Sequence, residues 1–203
     1  SNRLLISHRH DPFLWVQDLR TLQTVQKIHI GLGQHRLAHS INQDTIAVVR
    51  NTHAPEIIIL SGPTLDETHR LTPPNDPDWI VFGESKNVLI FSSTRDQKLY
   101  RYEQHNHDWL HTSISLGRPA TVMARHPSGN RIYLATTGFS NDPAQLQQNH
   151  FIEDQILAFN THDLSLEYRL QLPHDLESSN PINEKPEAST GGSPLGIAVF
   201  NQQ

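Results

Sequence analysis

Three stretches of the chain can be laid over one another. "GQHRLAHSINQDTIAVVRN" begins at Gly33, "DPDWIVFGESKNVLIFSST" at Asp76 and "GRPATVMARHPSGNRIYLATT" at Gly117. Each supplies a polar or Gly/Pro lead-in, an apolar strand, a turn (N-Q-D, S-K-N or P-S-G-N) and a second apolar strand. Their starts lie about 42 residues apart. A fixed period of this kind constrains the fold before any local structure is assigned. One unit cannot bury its apolar face alone and must stack against copies of itself.

Two more strands complete each unit. They are "FLWVQDL" and "TVQKIHI", then "PEIIILSG" and "ETHRLTP", then "KLYRYEQ" and "WLHTSISL", then "DQILAFN" and "LEYRLQL". Apolar residues alternate with polar ones or form short β-branched runs, and turn residues separate them. No window of a dozen residues keeps helical spacing. The period lies close to the roughly 40–45 residues of a four-stranded propeller blade. The expected fold is all-β, a β-propeller of about four four-stranded blades in a single domain over 1–203. The blades fall at about 1–31 plus 193–203, 32–74, 75–117 and 118–174, with insertion loops at 137–154 and 173–194.

The first unit lacks an innermost strand, and "SPLGIAVF" near the carboxyl end reads as a spare one. Pairing of residues 195–200 beside 3–7 would close the ring and remove an exposed sheet edge. Two other arrangements satisfy the same pattern. The chain is then part of a larger ring of six to eight blades, or two chains exchange terminal strands, which leaves an oligomer open.

"GRPATVMARHPSGNRIYLATTG" resembles the first half of the YVTN-type β-propeller repeat, and "VQDLRTLQTVQKIHIGLG" and "LAFNTHDLSLEYRLQLP" resemble its second half. The tetrad itself is absent, with "YLAT" at Tyr133 the nearest match. The resemblance covers nearly the whole chain. It implies propeller architecture. Such propellers include lactonase-like enzymes, quinoprotein dehydrogenase subunits and plain binding modules, so no catalytic residue is carried over.

Composition narrows the function classes. A chain of 203 residues suffices for one substantial core. Its formal net charge of −5 argues against a nucleic-acid binder, which needs a basic stripe. No run approaches the roughly 18 apolar residues of a membrane span. Without cysteine, disulfides and thiolate metal sites are excluded. The compartment stays open, with a periplasmic or secreted location favoured if a leader has been removed ahead of Ser1.

In antiparallel blades alternate connections fall on alternate faces. Loops joining second to third strands (7–12, 50–55, 93–97, 137–154) therefore share a face with the blade-to-blade connections (31–36, 73–78, 117–119, 173–194). Both long insertions fall there, and loops of that length tend to be functional or disordered. The expected binding residues on this face are His8, His10, Arg36, Arg50, Asp78, Arg95 and Arg118. Converging arginines suit a carboxylate or phosphate. His8-x-His10 with Asp11 is a weak metal pattern, as are His105-x-His107 with Asp108 on the opposite face and Asp76-x-Asp78. No cofactor or resident metal is expected. Trp15, Trp79 and Trp109 are read as packing between blades. There is no G-x-S-x-G, P-loop, H-E-x-x-H or G-x-G-x-x-G. The reading is a binding or scaffold propeller for a protein, peptide or small polar ligand. The alternative is a lactonase-like hydrolase with a polar or metal site at the channel mouth.

Overall fold

The computed structural model describes residues 3–8, 10–40, 45–136 and 154–172. These contain fifteen β-strands and no helix. The first sheet is β1 (Arg3–Ser7), β2 (Phe13–Asp18) and β3 (Thr24–His29). The second is β4 (Gln34–His39), β5 (Thr45–Asn51), β6 (Glu56–Ser61) and β7 (Asp66–Leu71). The third is β8 (Trp79–Phe82), β9 (Val88–Ser93), β10 (Lys98–His105) and β11 (Asp108–Ser115). The fourth is β12 (Ala120–Arg125), β13 (Arg131–Thr136), β14 (Gln155–Asn160) and β15 (Leu166–Gln171). All four sheets are antiparallel meanders.

Sequence pattern places the strands within each blade. "TIAVV" in β5 and "VLIFSS" in β9 are buried throughout, as a strand covered on both faces requires. The last strand of each sheet, β3, β7, β11 and β15, is mostly exposed. First strands touch one another from sheet to sheet, β4 against β8 and β8 against β12. The blades thus radiate from a shared inner edge, the arrangement of a β-propeller.

Apolar side chains between consecutive blades hold the stack. The first and second blades enclose Leu14, Val16, Ile46, Val48, Ile58 and Leu60. The second and third enclose Val49, Ile57, Ile59, Leu89, Phe91 and Tyr100. The third and fourth enclose Ile90, Leu99, Ile132, Leu134, Leu157 and Phe159. Among the described residues there are three such clusters for four blades, and none joins the first blade to the fourth. The first sheet has three strands among these residues. The expected pairing of 195–200 with 3–7 lies outside the described residues, as do both insertion loops up to Asp154.

A repeated turn serves two of the three junctions. Between third and fourth strands, Leu22, Leu65 and Leu164 each adopt a left-handed backbone (φ 56°, 54° and 58°). That costs a non-glycine residue of order 1–2 kcal/mol and persists only where the surroundings enforce it. Leu65 and Leu164 are inserted into the cluster shared with the preceding blade. Polar ties run the same way. Arg3 Nη1 donates to the Pro63 carbonyl at 2.6 Å, and Arg101 Nε to the Thr161 carbonyl at 2.7 Å. Thr161 Oγ1 lies 2.8 Å from both Glu84 Oε2 and the Gly129 carbonyl.

Candidate functional site

The loop-bearing face carries the sequence-predicted residues, and most of them are engaged within the protein. On the second blade, His35 pairs with Arg50 and Arg36 with Val49 across β4 and β5, which puts Arg36 and Arg50 on opposite sides of the sheet. The two arginines therefore diverge. Arg36 stacks over the Trp79 ring of the next blade at 4.8 Å. Arg50 lies against Gly31 and Gly33 and forms an ion pair with Glu56. Both glycines have positive φ (86° and 152°); a Cβ at Gly31 would meet the Arg50 guanidinium and one at Gly33 the Asn51 carbonyl and the Arg50 stem.

Asp78 accepts the Thr94 backbone N–H at 2.5 Å, pinning the loop between β9 and β10 to the blade connection. Burial lowers the pKa of Arg118, with the Arg169 charge adding to it and Asp154 opposing it. Arg95 is exposed. His8 and His10 are exposed and close to each other, with ring centroids 5.9 Å apart, and His8 Nδ1 accepts the His10 backbone N–H at 3.2 Å. Asp11 is turned away to its own partners: it accepts Phe13 N–H at 3.0 Å and Trp15 Nε1–H at 2.8 Å. Those two bonds hold its carboxyl below the usual carboxylate range.

Beside them stand groups that sequence reasoning passed over. Asp96 accepts the Tyr100 hydroxyl and, at 2.8 Å, the Asn75 amide, while its Oδ1 is buried without a hydrogen-bond partner. His35 donates from Nε2 to the Gly31 carbonyl at 3.0 Å, and burial pushes its pKa below the usual histidine value.

A concavity of about 450 Å³ lies at the outer rim between the second and third blades. Its walls are β7 and β11, the outermost strands of those blades. His69, Tyr102, His107, Asp108, Trp109 and His111 line it, and Thr72 and Pro74 form its upper end. It runs from the turn between β10 and β11 (His107, Asp108) to the segment after β7 (Thr72, Pro74). Tyr102 and His111 stack with centroids 5.0 Å apart, and His69 meets Trp109 edge-on at 6.0 Å. The Gln104 amide donates to His69 Nε2 at 2.9 Å, leaving that ring Nδ1 as its N–H. Burial pushes the Tyr102 phenol up to about 12, so it is a neutral donor at all ordinary pH. The Trp109 indole packs against the cluster between the blades, yet its Nε1–H is buried and unpartnered.

This groove was only half legible in the sequence. His107, Asp108 and Trp109 stand out as residues, and Trp109 packs between blades. That His69 and Leu71 of another repeat face them follows from stacking alone. Among the described residues no three His, Asp or Glu side chains converge as metal ligands.

A scan against protein-family models and a search of curated proteins both find no match. Solved structures do match. Kuenenia stuttgartiensis hydrazine synthase aligns with a TM-score of 0.66 at 10% identity, over 85% of this chain and 47% of that one. The Myceliophteria thermophila Cps50 (Swd1) β-propeller domain aligns at 0.67 and 9% identity, over 85% and 52%. Kluyvelomyces marxianus Hsv2 aligns at 0.55 and 11% identity, over 84% and 46%. The chain thus spans about half the length of the structures it matches. At such identities the likeness shows the fold, a β-propeller, and nothing of the chemistry.

Proposed function

We propose that the protein is a non-enzymatic binding propeller that seats an extended protein segment in the groove between its second and third blades. One observation carries this reading: the Trp109 indole N–H is buried beside the groove with no acceptor. An unmade hydrogen bond at such a donor costs about 1–3 kcal/mol, and buried tryptophans ordinarily find a partner. The donor is covered in the empty groove, so an occupant turns the indole outward for a peptide carbonyl to accept from it. The flanking strands support the same occupant, since β7 and β11 are the last strands of their sheets. Free strand edges accept an added strand by main-chain hydrogen bonds.

The test is selection of a displayed random-peptide library on the wild-type chain, followed by titration of enriched peptides against Trp109→Phe and His111→Ala. Trp109→Phe keeps the packing and removes the N–H, and a loss of roughly tenfold in affinity is expected for one hydrogen bond. Undiminished binding to both variants excludes the groove.

A second reading keeps the loop-bearing face as the site for a small anionic ligand. It rests on Arg95, His8 and His10, exposed on that face. Titration of a dicarboxylate against wild type and Arg95→Ala separates the two readings. The lactonase-like alternative draws no support from the described residues.

A further inference from the structure

The groove between the second and third blades has imidazoles on both of its walls. Register decides which side chains face it. Tyr102 pairs with His111 and Gln104 with Trp109, so these four share one side of the third blade. Tyr102 belongs to the apolar cluster between the two blades, which makes that side the one turned toward the second blade. On the opposite wall His69 pairs with Ile59, a member of the same cluster, and so faces the third blade. Because His69 Nε2 accepts the Gln104 amide at 2.9 Å, its Nδ1–H is a donor with no partner in its own sheet.

The charged side chains nearby belong to other faces. Arg70 pairs with Ile58, on the side of β7 opposite His69, where Glu56 and Glu67 each hold its guanidinium at 2.7 Å. Asp108 pairs with His105 and Glu103 with Leu110, on the side of the third blade opposite Trp109 and His111. Glu103 is committed there to Arg101 at 2.7 Å and to His105 at 3.3 Å. His69 and His111 therefore look into the groove with no carboxylate on their own side, and His107 stands at its end. Between them lie the Tyr102 phenol and the Trp109 indole, both donors.

We infer that the segment seated in this groove carries an acidic side chain, an Asp or Glu whose carboxylate lies against His69 and His111. The inference rests on the peptide-binding reading above and adds to it the chemistry of the occupant. A carboxylate is an acceptor only, and the groove presents donors that no protein carboxylate already takes. Hydrogen bonds to an ionised acceptor are about twice as strong as neutral ones. His69 meets Trp109 edge-on, so an occupant that turns the indole outward also reaches the imidazole. A phosphoryl group fits less well: it calls for a free guanidinium fork, and that of Arg70 is taken by two glutamates. Imidazole is the side chain that gains charge between about pH 5 and 8, while a peptide carboxylate stays ionised above about pH 5. Binding therefore tightens on mild acidification, as opposite charges come to face each other across the groove.

The experiment selects a displayed random-peptide library on the full chain at pH 6 and reads the enriched sequences. Asp or Glu is expected at one fixed position. An enriched peptide and its amide counterpart, with Asn for Asp or Gln for Glu, are then titrated by calorimetry at pH 5.5 and 7.5. The acidic peptide should bind about tenfold tighter at the lower pH, and the amide peptide should bind about tenfold more weakly there and respond little to pH. His69→Gln/His111→Gln should bind the two peptides alike. The comparison of the two peptides on the wild-type chain needs no variant, so a folding defect in the double variant leaves it standing. Peptides that bind in a Trp109-dependent way without acidic enrichment, or with equal affinity for acid and amide, overturn this inference and leave the groove reading intact. So does a pH response shared by both peptides. A library that yields no binder, or binders indifferent to Trp109→Phe, overturns the groove reading and this inference with it.

Discussion

Strands β1 and β9 each lie two strands before the last strand of their sheet and share an apolar composition, "RLLIS" against "VLIFSS". Their environments have little in common. Every residue of β9 is buried, whereas β1 alternates exposed and half-buried positions. The ladder accounts for part of this, because β9 lies between β8 and β10 while β1 is an edge of its sheet among the described residues. The stack accounts for the rest. Both faces of the third blade carry clusters, whereas among the described residues the first blade has one, on its downstream side. An apolar run in a repeat protein is therefore worth what its neighbours make it worth.

The largest expected effect is at the interior end of this comparison. Phe91 is fully buried and stacked on Tyr100 at 4.9 Å. Phe91→Ala should cost about 3–5 kcal/mol in urea unfolding, against less than about 0.5 kcal/mol for Leu4→Ala. A Leu4→Ala cost near that of Phe91→Ala would mean the first blade is covered as well as the third.

The turn leucines sharpen the contrast at fixed chemistry. Leu65→Ala should cost about 2–5 kcal/mol, and Leu22→Ala close to nothing. Equal costs would place Leu22 in a contact within its own chain.

Next come the polar ties of the third junction. Thr161→Val keeps the shape and removes the hydroxyl contacts with Glu84 and Gly129. A loss of about 1–3 kcal/mol is expected by thermal or urea unfolding. Gly129→Ala tests the same spot from the backbone. Its φ is +79° and a Cβ would meet the Gly83 carbonyl at 2.8 Å, while at Gly62, φ +81°, nothing lies within 4 Å. The Ala substitution should therefore destabilise more at Gly129 than at Gly62, and equal losses would mean the junction relaxes freely.

The smallest effect is electrostatic. Burial lowers the folded-state pKa of His35 below 6.5. The unfolded chain then binds the proton first on acidification. Stability from this group is complete above the unfolded pKa and is lost as pH falls from about 6.5 through the lower folded value. His35→Gln should flatten that part of the stability–pH curve. An unchanged slope would assign the acid sensitivity elsewhere.

How much was written in the residues varies by level. Strand order and blade number followed from the period, because a repeating apolar pattern admits few ways to bury itself. The side of the propeller to which each connection belongs followed from antiparallel alternation. Arg36, Arg50 and Asp78 could be named from the sequence, but their partners were not foreseeable. Trp79, Glu56 and the Thr94 N–H lie in other strands, loops or repeats, and sequence spacing gives no distance between them. The rim groove escaped for the same reason: His69 and Trp109 come from different blades.

The sequence by itself determined a stack of sheet modules, their internal strand order and the apolar addresses through which each module meets the next. Only the tertiary structure decided which addresses are filled. Leu22, Leu65 and Leu164 share a turn and a backbone conformation, yet two are buried and one is exposed, because burial belongs to the pair of surfaces in contact and not to the residue that is ready for it.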